Sequence, residues 1–376
     1  MKILILIHEY PPVGGGGGRV AQDIAENLNS KGHEIHVITS SIKDLPLYEE
    51  RSGVFIHRVR CMRRQAYKAH LVDMALYILM SIFYSIKLIK KNHPSILHAH
   101  FAVPAGFAAF VVSGLSKIPY IITSHLGDVP GGVPQKTGKI FPIIYPLTKA
   151  IWKNAAKIIA ISQHTKELIK ASYPFVDPVV LYNAANLPFA DPTKIQLNRP
   201  THIVFAGRLV PQKNPLQIVR TLEALKALQW RCTLVGDGPM REDVEKEISK
   251  SALIDRIQIT GWVKPEEVLD IYDQSDILFM PSQEEGLPVA GVQAIAKGLA
   301  VVLSDVGDCK TLVEEGKNGH LVNTSHPENF GEALKTMLKN PKKLLAYRKA
   351  SIQHARNFNI ENIAASYEDI MRQIAH

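Results

Sequence analysis

The chain has 376 residues, enough for two domains that each bury a core. Hydrophobic residues make up 46% and charged residues 21%, which is typical of a globular enzyme and excludes a disordered or fibrous chain. The three cysteines are far apart in the sequence and form no C-x-x-C pair. They argue against a disulfide framework or zinc knuckle and indicate a reducing, cytoplasmic compartment: Cys61, Cys232 and Cys309.

The net charge of +9 is unevenly distributed. Residues 1–190 hold 21 Lys and Arg against 11 Asp and Glu, so the excess lies in the first half. This suits an anionic partner such as a membrane surface, an acidic glycan or a lipid phosphate, although a generally basic protein fits equally well. A nucleic-acid partner is not expected, because basic and aromatic residues do not interleave on one face.

The first elements are predicted to be a strand, a glycine-rich turn and a helix. An apolar run covers Lys2–His8, five glycines occupy positions 14–18, and apolar residues then recur at helical spacing up to Leu28. Glycine lets a backbone approach a ligand closely, so the pattern favours a phosphate or sugar site in a doubly wound domain. The spacing is not G-x-G-x-x-G, which weakens the case for a dinucleotide cofactor. A merely flexible loop is the alternative.

One stretch, Leu71–Lys91, is apolar enough to test for membrane insertion. Asp73 and Lys87 interrupt it, so we expect a core helix that does not span a membrane, with an interfacial helix as the alternative. The first apolar run is too short for a signal peptide. Basic residues flank the predicted helix: Arg58, Arg60, Arg63, Arg64, Lys68, Lys90 and Lys91.

Two later strands of the first half carry histidines at their ends. His98 and His100 lie on one face of the first strand, and His125 follows the second strand in a polar turn. No third ligand of suitable spacing accompanies the His-x-His pair, so no metal site is predicted. His125 stands at the carboxyl edge of the sheet, where histidine commonly handles protons, and a structural role is the alternative.

The strand–loop–helix rhythm restarts after the proline-rich segment 172–200, which we take as the domain boundary. A strand that begins at His202 leads into Gly207 and two cations five residues apart, Arg208 and Lys213. Arginine offers a fork for phosphate oxygens and lysine adds a point charge, so the turn predicts a phosphate site.

The most informative segment follows the buried strand that ends at Met280. It has a turn with two carboxylates, Glu284 and Glu285, and a small-residue helix that we expect to begin near Pro288. A helix N-terminus suits an anionic ligand and a nearby carboxylate suits a hydroxylated one. A sugar diphosphate has both an anionic part and a hydroxylated part. Gln293 lies on this helix, with seven residues between it and Glu285.

These segments resemble the retaining glycosyltransferases of family 4. The resemblance covers nearly the whole chain and is densest from 203 to 322. Two departures are a glutamine at Gln293, where the family usually has glutamate, and the loop from Gly307 to Thr311, where the family has Gly-Gly-x-x-Glu. The implied fold is α/β, in the GT-B arrangement of two Rossmann-like doubly wound parallel sheets facing a cleft. Its predicted parts are an acceptor-side domain at 1–180, a nucleotide-sugar-binding domain at 181–357, and a helix at about 358–376 that packs back on the first domain.

The resemblance implies a metal-independent, retaining hexosyltransferase. It would move a sugar from a UDP- or GDP-sugar to a hydroxyl of a glycan or lipid-linked acceptor in cell-surface polysaccharide or glycolipid biosynthesis. A nucleotide-sugar epimerase or a glycan phosphorylase of the same fold is the alternative. No Asp-x-Asp motif is present, and neither a metal nor an organic cofactor is expected. We also expect peripheral association of a cytoplasmic protein with the inner face of the cell membrane.

The same resemblance assigns roles to particular residues. Arg208 and Lys213 stabilise the departing diphosphate, Glu285 holds hydroxyls of the donor sugar, Gln293 binds the ribose, and His125 assists at the sugar or phosphate. The implied catalytic residues are Glu285, His125, Arg208 and Lys213. The implied donor-binding residues are Gly15, Gly16, Gly207, Val263, Gly286, Leu287, Pro288, Val289 and Gln293.

Overall fold

The computed structural model describes most of the chain: residues 1–66, 69–132, 141–184 and 186–375. The chain forms two compact units. Unit 1 comprises Met1–Ala184 and Ile360–His376, and unit 2 comprises Ala185–Asn359. The two points at which the chain changes unit lie a few residues after the predicted boundaries at 180 and 357, and the first lies within the proline-rich segment.

Unit 1 is built on an eight-stranded sheet of order β3-β4-β2-β1-β5-β6-β7-β8. Every neighbouring pair is parallel except β3 and β4 at the edge. The strands are β1 Lys2–Leu6, β2 Glu34–Ser40, β3 Tyr48–Arg51, β4 Val54–Val59, β5 Ile96–His100, β6 Tyr120–Ser124, β7 Lys157–Ala160 and β8 Val179–Val180. The helices between them are α1 Gly16–Ser30, α2 Leu71–Asn92, α3 Phe107–Ser116, α4 Phe141–Asn154 and α5 Gln163–Ser172.

Unit 2 has a six-stranded parallel sheet of order β11-β10-β9-β12-β13-β14. Its strands are β9 Thr201–Ala206, β10 Trp230–Val235, β11 Ile257–Gly261, β12 Ile277–Met280, β13 Ala300–Ser304 and β14 Gly319–Val322. Its helices are α6 Pro215–Ala224, α7 Arg241–Lys250, α8 Pro265–Asp273, α9 Val289–Ala296, α10 Asn329–Leu338 and α11 Pro341–Ala355. The final helix, α12 Ile360–Ile374, belongs to unit 1 and packs on α1.

Both sheets are doubly wound, as the resemblance predicted. Their central strands are buried on both faces, which explains why they read as continuous apolar runs in the sequence. The order of the strands reverses between β1 and β5 in unit 1, and between β9 and β12 in unit 2. Ligands of open α/β sheets bind outside the carboxyl ends of the strands at such switch points. The antiparallel edge strand β3 was not predicted.

Helix α2 is less buried than the core helix that we expected. Only Asp73, Tyr77, Ser81 and Ser85 are buried, all on one face, and the Tyr77 hydroxyl donates to the Ile38 carbonyl over 3.1 Å. By length and composition α2 could cross a membrane, with a mean hydropathy of 1.7 in a window that is 22% buried. The expectation that internal charges exclude it on those criteria was wrong, because its charged residues lie near its two ends.

Two of the predicted basic flanking residues are structural. Arg63 is buried, donates to the carbonyls of His8 (3.2 Å) and Ala66 (2.8 Å), and pairs with Glu9 at 3.3 Å. Arg58, also buried, donates to the Pro11 carbonyl and pairs with Glu49. They therefore hold the segment after β1 and contribute no charge to the surface, which corrects the prediction. Arg60 and Arg64 are exposed, and Lys68 lies outside the described residues.

Candidate active site

The carboxyl end of the unit 2 sheet brings a lysine and a glutamate together. Lys213 lies in the turn after β9, and Glu285 lies in the turn after β12, the neighbouring strand. The Lys213 Nζ donates to Oε1 of Glu285 over 2.5 Å. Glu285 is only 5% exposed. Its carboxylate needs a charged partner, because an unpaired buried charge is costly. The switch point thus joins two of the predicted catalytic residues.

Hydrogen bonds and a close backbone contact hold the turn that carries Glu285. The Gln283 N–H donates to the Gln212 carbonyl over 2.8 Å, and the Gln212 side chain donates to the Glu284 carbonyl over 3.0 Å. A Cβ at Gly307, where φ is +53°, would lie 1.8 Å from the Glu285 carbonyl oxygen. Only glycine fits there. Sequence reasoning missed the roles of Gln212 and Gly307, because their partners are distant in the chain.

The turn that carries Arg208 is fixed by the neighbouring strand β10. A Cβ at Gly236, where φ is +134°, would lie 2.0 Å from the carbonyl oxygen of Gly207. The Leu209 N–H donates to the Asp237 carbonyl over 2.9 Å. Arg208 itself is exposed. The tight backbone contacts therefore present its guanidinium group to solvent at the end of a well-supported turn.

The helix beside the Glu285 turn begins at Val289, next to the predicted start near Pro288. Pro288 has extended backbone angles, φ −71° and ψ 119°, and precedes α9 as its N-cap. The N–H groups of Val289 and Ala290, in the first turn, have no acceptor within the helix and form its positive end. Leu287 is buried, and Gln293 is half-buried one turn further along. The structure therefore places these predicted donor-binding residues around one helix start.

Two other predicted donor-binding residues, Gly286 and Val263, follow different strands of the unit 2 sheet. Gly286 follows Glu285 directly, and its carbonyl accepts from the Asp308 N–H over 3.2 Å. Val263 follows β11, the edge strand, and is half-buried. Because β10 and β9 separate β11 from β12, Val263 is not a neighbour of Glu285 in the sheet.

Unit 1 gathers aromatic rings at its own carboxyl edge. The His125 ring lies 4.5 Å from the Phe101 ring and 5.2 Å from the His100 ring, measured between centroids. Nε2 of His125 is 2.9 Å from Nδ1 of His100. A Cβ at Gly17 would lie 2.6 Å from Cζ of Phe101. Helix α1 can therefore start beside these rings only because Gly17 has no side chain.

Most of the glycine-rich segment is helical. Gly15 precedes α1 as its N-cap, and Gly16 begins the helix, so the predicted turn is shorter than the run of glycines. A Cβ at Gly15 would meet nothing within 4 Å, whereas a Cβ at Gly18 would lie 2.6 Å from the Glu9 carbonyl oxygen. Gly17 and Gly18 therefore permit close packing, and sequence reasoning, which named Gly15 and Gly16, missed them.

Burial shifts several pKa values in both units. Burial lowers the pKa of His125 to about 3, although the negative charge of Glu9 acts to raise it. Burial raises the pKa of the Glu284 carboxyl. Burial and the nearby Glu285 carboxylate raise the pKa of the Cys309 thiol well above its usual value. His125 is therefore neutral at pH 7, and Cys309 is an unreactive thiol.

The part of the chain that the structure describes has no group of three or more His, Cys, Asp or Glu side chains arranged to hold a metal ion. His98 and His100 are both fully buried, with their ring centroids 4.3 Å apart. One ring nitrogen of each lies within hydrogen-bond distance of a neighbour: Nε2 of His98 with the Thr123 hydroxyl, and Nδ1 of His100 with His125. Metal independence of any reaction nevertheless stays a prediction, which needs a measurement.

Comparison with known proteins identifies the family. Residues 14–188 match the family described as Glycosyltransferase Family 4. Residues 190–356 match the family described as Glycosyl transferases group 1. The two matches adjoin and together span nearly the whole chain. The chain is a family 4 glycosyltransferase.

A curated relative is similar to this chain in sequence, and two solved structures are similar to it in fold. TuaC of Bacillus subtilis (strain 168), named provisionally as a teichuronic acid biosynthesis glycosyltransferase, is 28% identical over 356 residues, which cover 86% of this chain and 85% of TuaC. Sucrose-phosphate synthase from Thermosynechococcus elongatus has a TM-score of 0.83 at 19% identity, covering 99% of this chain and 98% of that one. Anabaena HepE in complex with UDP has a TM-score of 0.77 at 17% identity, covering 99% and 100%. The predicted GT-B fold is confirmed.

The loop after β13, where this chain departs from the family pattern, keeps its contacts with the Glu285 turn. Asp308 stands where the family usually has a second glycine, and it is buried. Its N–H still donates to Gly286, and Gly307 still allows the close approach to Glu285. The loop therefore supports the Glu285 turn despite its changed sequence.

Proposed function

We propose that the chain transfers a sugar, with retention of anomeric configuration, from a UDP- or GDP-sugar to a hydroxyl of a glycan or lipid-linked acceptor. The acceptor would belong to cell-surface polysaccharide or glycolipid biosynthesis. The observation that supports this best is the Lys213–Glu285 pair beside the N-terminus of α9. A lysine and a helix N-terminus suit a diphosphate, and a carboxylate suits sugar hydroxyls. HepE, which shares the fold, binds UDP and UDP-glucose in its crystal structures.

In this proposal Lys213 exchanges its partner, Glu285, for the diphosphate of the bound donor. Arg208 supplies a second positive charge, and the N–H groups of Val289 and Ala290 supply hydrogen bonds. These fixed groups would stabilise the charge that develops on the departing diphosphate, which is the role that a metal ion plays in other transferases. Glu285, freed from Lys213, then accepts hydrogen bonds from the donor sugar.

The remaining residues would bind parts of the donor that do not react. Gln293 accepts a hydrogen bond from a ribose hydroxyl, and backbone groups at Gly207 and Val263 border the nucleotide. In unit 1, His125 and the start of α1, at Gly15 and Gly16, contribute contacts to the donor sugar or its phosphate. No residue of the enzyme acts as a nucleophile.

The reaction itself would proceed on one face of the sugar. The bond between the anomeric carbon and the diphosphate oxygen breaks, and the acceptor hydroxyl oxygen bonds to the same carbon from the leaving-group side. The hydroxyl proton passes to the departing phosphate oxygen. The products are therefore a glycoside of unchanged anomeric configuration and a nucleoside diphosphate.

A donor screen with purified full-length protein tests this function. We expect one UDP- or GDP-sugar to raise the melting temperature, and to yield nucleoside diphosphate only when an acceptor is present. Conversion of the donor alone into another nucleotide-sugar would favour the epimerase alternative. Sugar 1-phosphate formation from a glycan and inorganic phosphate would favour a phosphorylase.

Metal independence has its own test. Activity should persist in EDTA, because Arg208 and Lys213 supply the positive charge, and loss in EDTA with recovery in Mg²⁺ or Mn²⁺ would contradict this. Arg208→Ala should lower kcat by about 10²-fold or more, the usual effect of removing one group that stabilises transition-state charge. Arg208 is exposed, so this variant should fold. Arg231→Ala, at an exposed arginine of β10, is the matched control and should leave kcat unchanged.

We also propose that unit 1 binds reversibly to anionic membrane at the cytoplasmic face. Helix α2 exposes large apolar side chains on the side away from its buried residues, notably Val72, Leu79 and Phe83, each more than 60% exposed. At helical spacing, the exposed Lys87 and Lys90 continue the same face. An apolar face that leads into lysines suits insertion at the boundary between headgroups and acyl chains.

A further inference from the structure

A hydrogen bond between two histidine rings fixes the side chain of His125. His100 ends β5, and His125 follows the neighbouring strand β6, in which Thr123 pairs with His100. Nδ1 of His100 and Nε2 of His125 are 2.9 Å apart, and the ring planes are inclined by only 25°. Two neutral rings share one proton at such a contact, so one nitrogen donates and the other accepts.

The surroundings of His100 indicate which ring donates. Its other nitrogen, Nε2, is buried and has no hydrogen-bond partner among the described residues. A buried N–H without an acceptor is rarer in proteins than a buried acceptor without a donor. The proton of His100 therefore belongs on Nδ1, from which it is donated to Nε2 of His125. A neutral His125 must then carry its own proton on Nδ1.

Burial keeps both rings neutral, and the charges around them have smaller effects. His8 and Glu9 act on His125 from the segment after β1, with opposite effects, and burial dominates in lowering its pKa. Burial also lowers the pKa of His100, and positive charge on His98 or His125 would lower it further. Asp128, in the turn after His125, accepts from the His125 backbone N–H and does not bond to the ring.

Neighbouring rings hold the pair in place. The His98 ring packs on His100, and its Nε2 is 2.8 Å from the Thr123 hydroxyl oxygen. That oxygen is 3.1 Å from the hydroxyl of Tyr367, which lies on α12. Phe101, with an unusual φ of +70°, contacts the His125 ring at a centroid distance of 4.5 Å. The orientation of His125 is thus set by packing from two strands and the final helix.

We propose that His100 is a positioning residue that fixes His125 as a neutral hydrogen-bond donor at Nδ1. This inference rests on the proposed function, in which His125 contacts the donor substrate. His125 would then donate to an oxygen of the donor sugar or its phosphate, and would not act as a general base. The acceptor hydroxyl must therefore lose its proton elsewhere, which agrees with transfer to the departing phosphate.

The test compares two substitutions of His100. One places a hydrogen-bond donor at the position of Nδ1, and the other places an acceptor there. His100→Asn places an amide nitrogen near that position and keeps a donor, so it should preserve both the tautomer of His125 and the activity. His100→Asp places an acceptor there, so the proton of His125 should move to Nε2. We expect kcat of His100→Asp to fall about tenfold or more, the size of one lost hydrogen bond to a charged oxygen, with a smaller change in KM.

The tautomer is read directly by ¹⁵N NMR of the imidazole rings in full-length protein labelled on histidine, without substrate. The wild type should show the Nδ1–H form for both His100 and His125. His57→Asn is the matched control, because His57 and His36 form a second ring-to-ring hydrogen bond, at 3.1 Å, between β4 and β2. It should change neither the His125 tautomer nor kcat.

The outcomes separate this inference from the proposed function. An Nε2–H form of His125 in the wild type, or a kcat of His100→Asp equal to the wild-type value, overturns the positioning role. If the wild type shows the expected tautomers but turns over no nucleotide-sugar, the proposed function is overturned and the positioning of His125 remains. If His100→Asp fails to fold, the wild-type tautomers and the activity of His100→Asn still decide.

Discussion

Gln293 departs from the glutamate that is usual in its family, and in the proposed function it still binds the ribose of the donor. An amide accepts through its oxygen as a glutamate does, and it brings no negative charge near a diphosphate. The residue is half-buried one turn into α9, and Glu285 keeps its place in the adjoining turn. The change therefore affects a residue proposed to bind the ribose and leaves the paired carboxylate and lysine intact.

Replacing Gln293 tests this role. Gln293→Ala should weaken nucleotide binding by roughly 0.5–1.5 kcal/mol, the net contribution of one neutral hydrogen bond. The loss should appear in KM, because a ribose contact is similar in the ground state and the transition state. Titration calorimetry with the nucleoside diphosphate measures it. Gln293→Glu should remain active, and an unchanged affinity in Gln293→Ala would mean that the side chain only packs on the helix.

Gly17 matters for a steric reason, because it leaves room for two neighbouring rings. A Cβ there would lie 2.6 Å from the Phe101 ring and 3.4 Å from the His125 ring. Gly17→Ala should therefore displace these rings and lower both stability and activity. Gly114→Ala is the matched control, since a Cβ at this helical position in α3 would meet nothing within 4 Å. Its stability should rise by about 0.5–1 kcal/mol, the helix preference of alanine over glycine.

Thermal unfolding and steady-state kinetics of the two variants distinguish steric from intrinsic effects. If Gly17→Ala behaves like Gly114→Ala, the rings can move at little cost, and the close approach is not important for the site.

At the scale of elements, α2 has one side that the described residues leave uncovered. It packs on α3 and β2 through one face and leaves a long apolar face exposed. Large exposed apolar patches commonly mark interaction sites. The lysines at the end of the helix make an anionic membrane a better partner than a neutral one.

Substitutions on the exposed face of α2 test membrane binding. The double variant Leu79→Asp and Phe83→Asp should lose most flotation with anionic vesicles, because two charges enter the apolar region. The control, Ile254→Asp, changes a side chain that is 68% exposed in unit 2 and should float like the wild type. Equal recovery of the wild type with neutral and anionic vesicles would speak against the proposal, as would recovery that salt does not reduce.

Elements were easier to predict from the sequence than contacts between them. Continuous apolar runs form buried strands, as in β12 and in β1 after its exposed first residue, Lys2. The turns after β9 and β12 held the residues that the sheet then brought together. Gly17 and Gly307 could not be predicted, because each is needed where two segments distant in sequence touch. Arg58 and Arg63 were assigned to the surface because their partners, which are backbone carbonyls and the carboxylates of Glu49 and Glu9, lie at distances in the sequence that no local pattern reveals.

At the scale of the whole molecule, buried histidines make the fold sensitive to acid. Burial lowers the pKa of His98 to about 3, and it lowers that of His100 as well. In the unfolded chain both titrate near 6.5. Below about pH 6.5 the unfolded state therefore binds more protons, and the free energy of unfolding falls as the pH drops towards 4. Above that pH these two residues contribute no slope.

Denaturant unfolding of unit 1 between pH 4.5 and 7.5 measures this effect. Each neutral buried histidine contributes up to about 1.4 kcal/mol per pH unit to the slope below its unfolded pKa. His98→Gln removes one titrating group and keeps an amide that can bond to Thr123. Its slope should be smaller by about one proton, and equal slopes in the two proteins would contradict the assignment.

The return of α12 to unit 1 has a consequence for the order of assembly during synthesis. Unit 2 is one continuous segment, whereas unit 1 needs residues from before and after it. Domains generally fold as units while the chain emerges from the ribosome. Unit 2 can therefore finish folding before two contacts of unit 1 exist: the hydrogen bond between Tyr367 and Thr123 and the contact of Glu368 with His33. The N-terminal unit, although made first, is the last to be completed.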